Sequence, residues 1–393
     1  MSDLKGNRGE WSELYATLTL LAVGEIYAAD ENMEKIENMV FPVLKILREE
    51  KDNSRHYSIN GNIKIIDPIN NILLAEIEKS SFISAAKIVF DNISRLSGRS
   101  IHIQSFEQKE SLIEFLQTID ITALKAKSTN KSDITIQIHD QITGSTPILG
   151  FSIKSMIGNK STLFNPAPGT NFIFRVWHQD DNAEIDLDAF NRLTYTSGSK
   201  IKHRILELET LNYNFDFVKV ESQVLELNLK LIDGDLPKIL AYMLKYRFSR
   251  NKTKIIDLLQ ILSEENPLNY NLEHGHPFYK YKIIKFLYDV ALGMTPEVVW
   301  NGDINANGGI IVVKNDGEVL AYHTYYKHKF EEYLFNNTML EQPSTSEDEN
   351  NPGYPETKEN YPGKTIKEYK YGWPYRENND LFFKLNLQVR FLK

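Results

Sequence analysis

The chain has 393 residues, is 41% hydrophobic and 25% charged, and carries a formal charge of −8 at pH 7 with no cysteine. These values belong to a folded globular protein of one large domain or two coupled ones, and they exclude disulfides, thiolate nucleophiles and cysteine-held zinc. The acidic balance argues against indiscriminate coating of nucleic acid but leaves a local basic cleft open. No window approaches the roughly 20 continuous apolar residues of a membrane span. The opening MSDLKGNRGEWSE is too polar and acidic for a secretory signal, so a cytoplasmic protein with no membrane partner is expected.

Residues 8–24 place Trp11, Leu14, Tyr15, Leu18, Leu21 and Ala22 at helical spacing, and Gly24 is a natural stop. YSINGNIKIIDP, residues 57–68, reads as a hairpin turning at Asn60 and Gly61. Residues 70–96 hold two helical candidates, the second being SFISAAKIVFDNI, and SLIEFLQTI at 111–119 is a further short helix. KSDITIQIHDQITGSTPILGFSIKS, residues 131–155, is a long hairpin with its turn in DQITGS. The pattern then becomes mainly helical, around 204–212 and in LELNLKLID, LPKILAYMLKYRFS, KIIDLLQIL and YKIIKFLYDVALGM. GGIIVVKNDGEVLAYHTYY returns to a hairpin, turning at Asp316 and Gly317, and FFKLNLQVRFLK reads as a closing strand. Residues 342–363, rich in Pro, Gly, Ser and acid, form a long loop. A boundary near residue 200 divides a strand-rich region, 1–200, from a helical one, 201–393.

Asp133 begins one arm of the 131–155 hairpin and Lys154 nearly ends the other, so the fold can bring them together. An aspartate holding a divalent cation and a lysine beside the attacking water meet the needs of phosphodiester hydrolysis. The residue two before the lysine is Ser152, which lacks a carboxylate's charge. Glu10 and Glu13, three apart on one face of the first helix, are the suppliers of a second anion, with Glu13 preferred because it lies farther inside the helix. On these residues alone a solvated hairpin, and acids that merely favour a helix N-terminus, remain the alternative. Lys160, Ser161, Thr162, Asn165 and Asn171 follow the hairpin and offer groups for phosphate oxygens. Lys245, Arg247 and Arg250 form a small basic patch. His323 and His328 lack a partnering carboxylate at metal-ligand spacing.

In order along the chain, GNRGEWSELY, GEIYAADENM, GFSIKSMIGNKSTLFNPAPGTNF, NPLNY, ALGMTPEVVW, GGIIVVKNDGEVLAYHTY, YLFNNTMLEQPSTS and LNLQVRFLK resemble the HpaII-like family of type II restriction endonucleases. The resemblance implies an α/β (α+β) fold with a PD-(D/E)XK nuclease-like core, a mixed β-sheet flanked by helices, and an added helical and C-terminal strand-containing region. It implies that Asp133, Lys154 and Ser152 belong to the catalytic site, that Asp133 with Glu13 or Glu10 holds Mg2+, and that double-stranded DNA is cut at CCGG or a related site, leaving 5′-phosphate ends. Lys314, Gln342, Ser344 and Arg390 join the candidate DNA contacts. A homodimer on a palindromic site and a cognate DNA methyltransferase in the same system are expected as well. The chain departs from the broader nuclease pattern at Ser132 and Ser152, where proline and a carboxylate are more usual. Two competing readings are a DNA-binding relative that no longer cuts, motivated by Ser152, and a nuclease that reads DNA structure rather than sequence.

Overall fold

The computed structural model describes residues 4–50, 53–98, 100–126, 132–141, 143–158, 160–180, 182–195, 199–343, 347–351, 354–359 and 369–392. In chain order the elements begin with β1 (Lys5–Gly6), α1 (Arg8–Val23), β2 (Glu25–Ala29), β3 (Lys35–Glu49), β4 (Ser54–Asn60), β5 (Asn62–Asp67) and β6 (Ile72–Ile77). Then come α2 (Lys79–Arg95), β7 (Ile101–His102), α3 (Lys109–Thr118), β8 (Ile134–Ile138), β9 (Ile148–Ser155), β10 (Thr162–Phe164) and β11 (Asn171–Trp177). The helix-rich stretch holds α4 (Leu187–Asn191), α5 (Lys200–Thr210), β12 (Asn214–Val220), α6 (Gln223–Ile232), α7 (Leu236–Ser249), α8 (Ile255–Glu265) and α9 (Phe278–Leu292). Last are β13 (Gly309–Val313), β14 (Val319–His323), α10 (Lys327–Asn336), β15 (Thr338–Leu340), β16 (Pro374–Glu377), β17 (Asp380–Asn386) and β18 (Val389–Phe391). Among the described residues no helix is long and apolar enough to cross a membrane.

The first helix starts and stops where its sequence says. Asn7 accepts the Glu10 amide at 3.0 Å while the Glu10 carboxylate accepts the Asn7 amide at 2.7 Å, a reciprocal cap for two orphan donors. At the other end Gly24, at φ +81°, turns left-handed and donates its N–H to Leu20 O at 2.8 Å. Two expectations fail locally. The first helical candidate of 70–96 is instead β6, because the Asp67 carboxylate accepts the Ile69 amide at 2.9 Å and Asn71 sits at φ 54°, turning ILLAEI back onto β5. FFKLNLQVRFLK is two strands rather than one. The Leu387 amide leaves the ladder for Thr170 O at 2.9 Å, so β17 stays with β11 while β18 pairs with β10 and β15.

The fold is mixed α/β. Among the described residues its largest sheet has nine strands in the order β2-β14-β13-β9-β8-β3-β4-β5-β6, with β13 parallel to β9, β14 parallel to β2, and the other neighbours antiparallel. The expected mixed sheet is therefore present, but it also does something an open sheet does not. β3 is 15 residues long and pairs with β2 through its first part and with β8 and β4 through its last, so six strands, β2-β14-β13-β9-β8-β3, close into a ring. The exchange of partners falls at Pro42, which has no N–H for a ladder, and the register shifts just beyond it between Val43 and Lys45.

β13 explains why GIIVV carries no polar alternation. Ile310 and Val312 point into one buried core, with α5 to α10 and β10 to β18, while Ile311 and Val313 point into another, with α1 to α3 and β3 to β9. A strand buried on both faces reads as an unbroken apolar run. This strand is a wall shared by two cores.

The C-terminal end of β3 carries a buried ion pair. Arg48 Nε donates to Glu50 at 2.8 Å, with side chains only 4% and 2% exposed. The pair spends its remaining capacity on one segment: Arg48 Nη2 donates to Ala123 O at 2.6 Å and Leu124 O at 3.2 Å, and Glu50 accepts the Thr122 amide at 2.9 Å and its hydroxyl. Replacing Arg48 with methionine strands the Glu50 charge, and urea unfolding should report a loss of about 3–5 kcal/mol. A loss below about 1 kcal/mol, the range of surface pairs, would remove the pair from its clamping role.

Candidate active site

Asp133 stands one residue before β8, with its amide donated to Phe151 O at 2.8 Å, so the pairing of β8 with β9 fixes its backbone. One carboxylate oxygen, Oδ2, accepts both the Ser152 hydroxyl at 3.0 Å and the Ile153 amide at 2.7 Å. Ser152 and Lys154 share a face of β9 by the strand's period of two, and Lys154 Nζ donates to Ser152 Oγ at 3.0 Å. Ser152 thus accepts from the ammonium and donates to the carboxylate.

The third contribution comes from α1, which is tied to the end of β9 by a hydrogen bond of 2.8 Å between the Ser12 and Ser155 hydroxyls. Glu13, next to that anchor, enters a cleft of 460 Å³ that is also lined by Asp133, Ser152, Lys154, Lys125, Thr162 and Asn165, with Met294, Thr295 and Pro296 opposite. Glu10 does not line it. Its carboxylate serves the helix cap and meets Lys125 at 3.3 Å. Lys125, absent from the residues the sequence points to, also approaches Glu13 at 3.9 Å. Nothing in KAKSTNKSD distinguishes this lysine; its place follows from the Arg48 and Glu50 clamp on residues 122–124.

Burial, with repulsion from Asp133 second, pushes the Glu13 carboxyl from 4.5 up to about 8 against the opposing pull of Lys125. Burial also pushes the Lys154 ammonium down, although Asp133 and Glu13 oppose it. The cleft therefore disfavours its own charges on both sides. Among the described residues no group of three or more His, Asp or Glu is gathered as metal ligands. What the cleft offers is the carboxylates of Asp133 and Glu13, the ammonium groups of Lys125 and Lys154, the hydroxyls of Ser152, Thr162 and Thr295, and the Asn165 amide.

A second cleft, of 540 Å³, shares Thr162 and Asn165 with the first and adds Glu341, Gln342, Gln388, Arg390, Pro166, Pro343 and Tyr369. Four of the candidate DNA contacts, Thr162, Asn165, Gln342 and Arg390, meet there because β18 pairs with β10, placing Arg390 opposite Thr162. Lys160 is exposed close by, with its carbonyl accepting from Arg390 at 2.8 Å. Ser161 turns its hydroxyl to Ser155 O. The other candidates lie elsewhere. Asn171 is 1% exposed, with its amide nitrogen on Glu221 and Tyr369 O at 2.7 Å and its oxygen accepting from Asn386 at 2.7 Å, an inward position that sequence does not signal. Lys314 pairs with Glu318 at 2.6 Å within its own hairpin. Ser344 lies outside the described residues. In the basic patch, Lys245, Arg247 and Arg250 face Glu209, Glu341 and Glu265 at 3.3, 3.9 and 3.0 Å. His323 is buried in a stack with Phe41, where its Nδ1 accepts the Tyr325 amide, and His328 is paired with Glu332 on an exposed helix face.

Comparison with known proteins gives this geometry a context. The sequence model of the HpaII restriction endonuclease family matches residues 7–367. The chain belongs to the HpaII restriction endonuclease family. It is 41% identical over 388 residues to the type II restriction enzyme HpaII of Haemophilus parainfluenzae, covering 98% of each chain. The family is one of type II restriction enzymes, and its match spans the whole of the first cleft and the second apart from Tyr369, Gln388 and Arg390. No solved structure matches the chain.

The raised Glu13 carboxyl has a consequence for stability. Folded, the group keeps its proton up to about pH 8, whereas unfolded it ionises near 4.5, so unfolding is increasingly favoured as pH rises between those values. Glu13→Gln removes that penalty. Melting curves in chelator should show E13Q gaining stability over the parent at pH 8 and little or none at pH 5; an equal gain at both would mean that Glu13 is ionised throughout.

Proposed function

We propose that this chain is a Mg2+-dependent, site-specific endonuclease for double-stranded DNA, with Asp133, Ser152, Lys154 and Glu13 as its catalytic centre. The observation that carries the reading is the hydrogen-bonded row from Asp133 through Ser152 to Lys154, facing Glu13 across one polar cleft. Family membership supports the same chemistry. By this reading the β8–β9 hairpin is the heart of a PD-(D/E)XK-like core, residues 1–200 carry catalysis, and residues 201–393 carry recognition, packed against the core through the β13–β14 wall.

The donor set suits a hard cation. Mg2+ keeps several waters and asks for one or two carboxylates; Asp133 retains Oδ1 with no partner among the described residues, and a positive charge would offset the burial and the Asp133 repulsion that hold the Glu13 carboxyl up. Asp133 and Glu13 would hold it, with Glu10 in reserve behind Lys125. When bound it would neutralise charge on the scissile phosphate and ease ionisation of the attacking water. Ser152 aims the Lys154 Nζ, whose desolvation brings its proton within reach of exchange with a water at the phosphorus. Lys125, on the cleft wall, offsets anionic charge at the reacting centre. Thr162 and Asn165 then lie at the junction where phosphate contacts would set the duplex in register.

The sequence cut is proposed to be CCGG or a related GC-rich site, with 5′-phosphate ends. A homodimer is the simplest device for cutting both strands of a palindrome, and a cytoplasmic system with a cognate methyltransferase is its natural setting. The retained Lys154 and its row of hydrogen bonds favour a cutting enzyme over an inactive DNA-binding relative, despite Ser152.

Cleavage of a plasmid library of short duplex sequences with Mg2+, with fragment ends mapped by sequencing, tests the proposal. One shared motif is expected, cleavage should cease in chelator, and Asp133→Asn or Lys154→Met should each lower the rate by about 100-fold or more. Ends scattered over unrelated sequences would replace site specificity with recognition of DNA structure. An intact library in both Mg2+ and Mn2+ would favour the inactive relative.

A further inference from the structure

We infer that the second cleft reads a G·C base pair in the major groove and that Gln388 and Arg390 are specificity-determining residues. The inference rests on the endonuclease reading, which places a phosphate backbone in the neighbouring cleft. The two clefts meet at Thr162 and Asn165, so a duplex whose backbone enters the first presents base edges to the second.

The chemistry of the lining separates base reading from further backbone binding. A phosphate site gathers positive and neutral donors, whereas this cleft contains the carboxylate of Glu341. Beside it stands Arg390, whose Nη2 donates to Lys160 O at 2.8 Å, so the guanidinium is held in one orientation, with Nη1 unengaged among the described residues. Guanine offers two acceptors in the major groove and its paired cytosine one amino donor. An oriented arginine complements the two adjacent acceptors of guanine and the carboxylate beside it the amino group of the paired cytosine, whereas adenine sets a donor beside its one acceptor and breaks that order.

Gln388 supplies the second observation. It is 7% exposed and lines the cleft, and its side-chain amide has no hydrogen-bond partner among the described residues. Its amide atoms are not sealed from solvent, so water in the cleft can satisfy them in the free protein and a base edge can take that water's place. Its backbone is fixed, since Gln388 O accepts the Glu341 amide at 3.0 Å, which locks the two residues side by side. Gln342, across the cleft, uses only its oxygen, which accepts the Ser199 hydroxyl at 2.9 Å. The cleft thus holds unspent donors and acceptors on rigid strand ends, as readout of a base edge requires.

The experiment measures kcat/KM for Gln388→Ala and Arg390→Lys on the library-derived site and on duplexes carrying each single base-pair change. Each variant should lose roughly 10- to 100-fold on the parent site. The loss should be much smaller on duplexes altered at one G·C position, the same position in every copy of the half-site, with the salt dependence of binding unchanged for Q388A. R390K keeps the charge and protects the test should Q388A fold poorly, which unfolding curves report. A uniform loss across all duplexes, or site ratios equal to the parent's in folded variants, would overturn the assignment. Asp133→Asn separates the two levels: if it abolishes cutting while the site ratios of Q388A and R390K stay unchanged, base reading fails alone, and if it cuts at the parent rate the endonuclease reading itself fails.

Discussion

Everything at the proposed centre depends on the two-sided pairing of β9. Antiparallel pairing with β8 sets Asp133 against Phe151, parallel pairing with β13 buries the strand's other edge, and Ser155 at its end receives α1. A strand held on both edges cannot slip by one residue without moving Ser152 and Lys154 to the opposite face. The strand residues of the cleft are therefore set in place by backbone ladders, and the hydrogen bonds of Ser152 then orient the ends of Asp133 and Lys154. This is how a site can collect groups that repel one another, since the enclosing cores absorb the cost.

The serine two before the lysine is informative in this setting. A carboxylate there would have no proton for Asp133 and would add a third carboxyl group to a cleft in which Glu13 already resists ionisation. The hydroxyl instead donates to one neighbour and accepts from the other, which joins Asp133 and Lys154 into one row. Lys125, brought in by the buried Arg48 and Glu50 pair, balances Glu10 and Glu13 from the solvent side.

Much of this was legible in sequence wherever the signal was local. Helix α1 declared both ends through Asn7 and Gly24, and the hairpins turning at Gly61 and Gly317 declared themselves by turn chemistry. The meeting of Asp133 with Lys154 follows from the register of one hairpin, and the entry of Glu13 rather than Glu10 into the cleft accords with its greater depth in the helix. What stayed hidden was non-local. The ring closure depends on β3 changing partners at Pro42, and Lys125 depends on a clamp about 75 residues away in sequence. Asn171 looks like any polar loop residue until Glu221, Tyr369 and Asn386 surround it. β6 was misread because a short apolar run fits helix and strand equally, and only the turn at Asn71 decides.

The pairing of β10 with β18 has a further consequence, in the timing of activity during synthesis. Arg390 and Thr162 are partners across one ladder, yet well over half the chain lies between them. Once β13 has emerged, β9 can be paired on both edges while the wall beside Thr162, which needs β18, is still missing. Contacts of such long range form late in folding. If the second cleft holds the duplex as proposed, a cell making this enzyme gains from that order, because a chain without β18 lacks that surface.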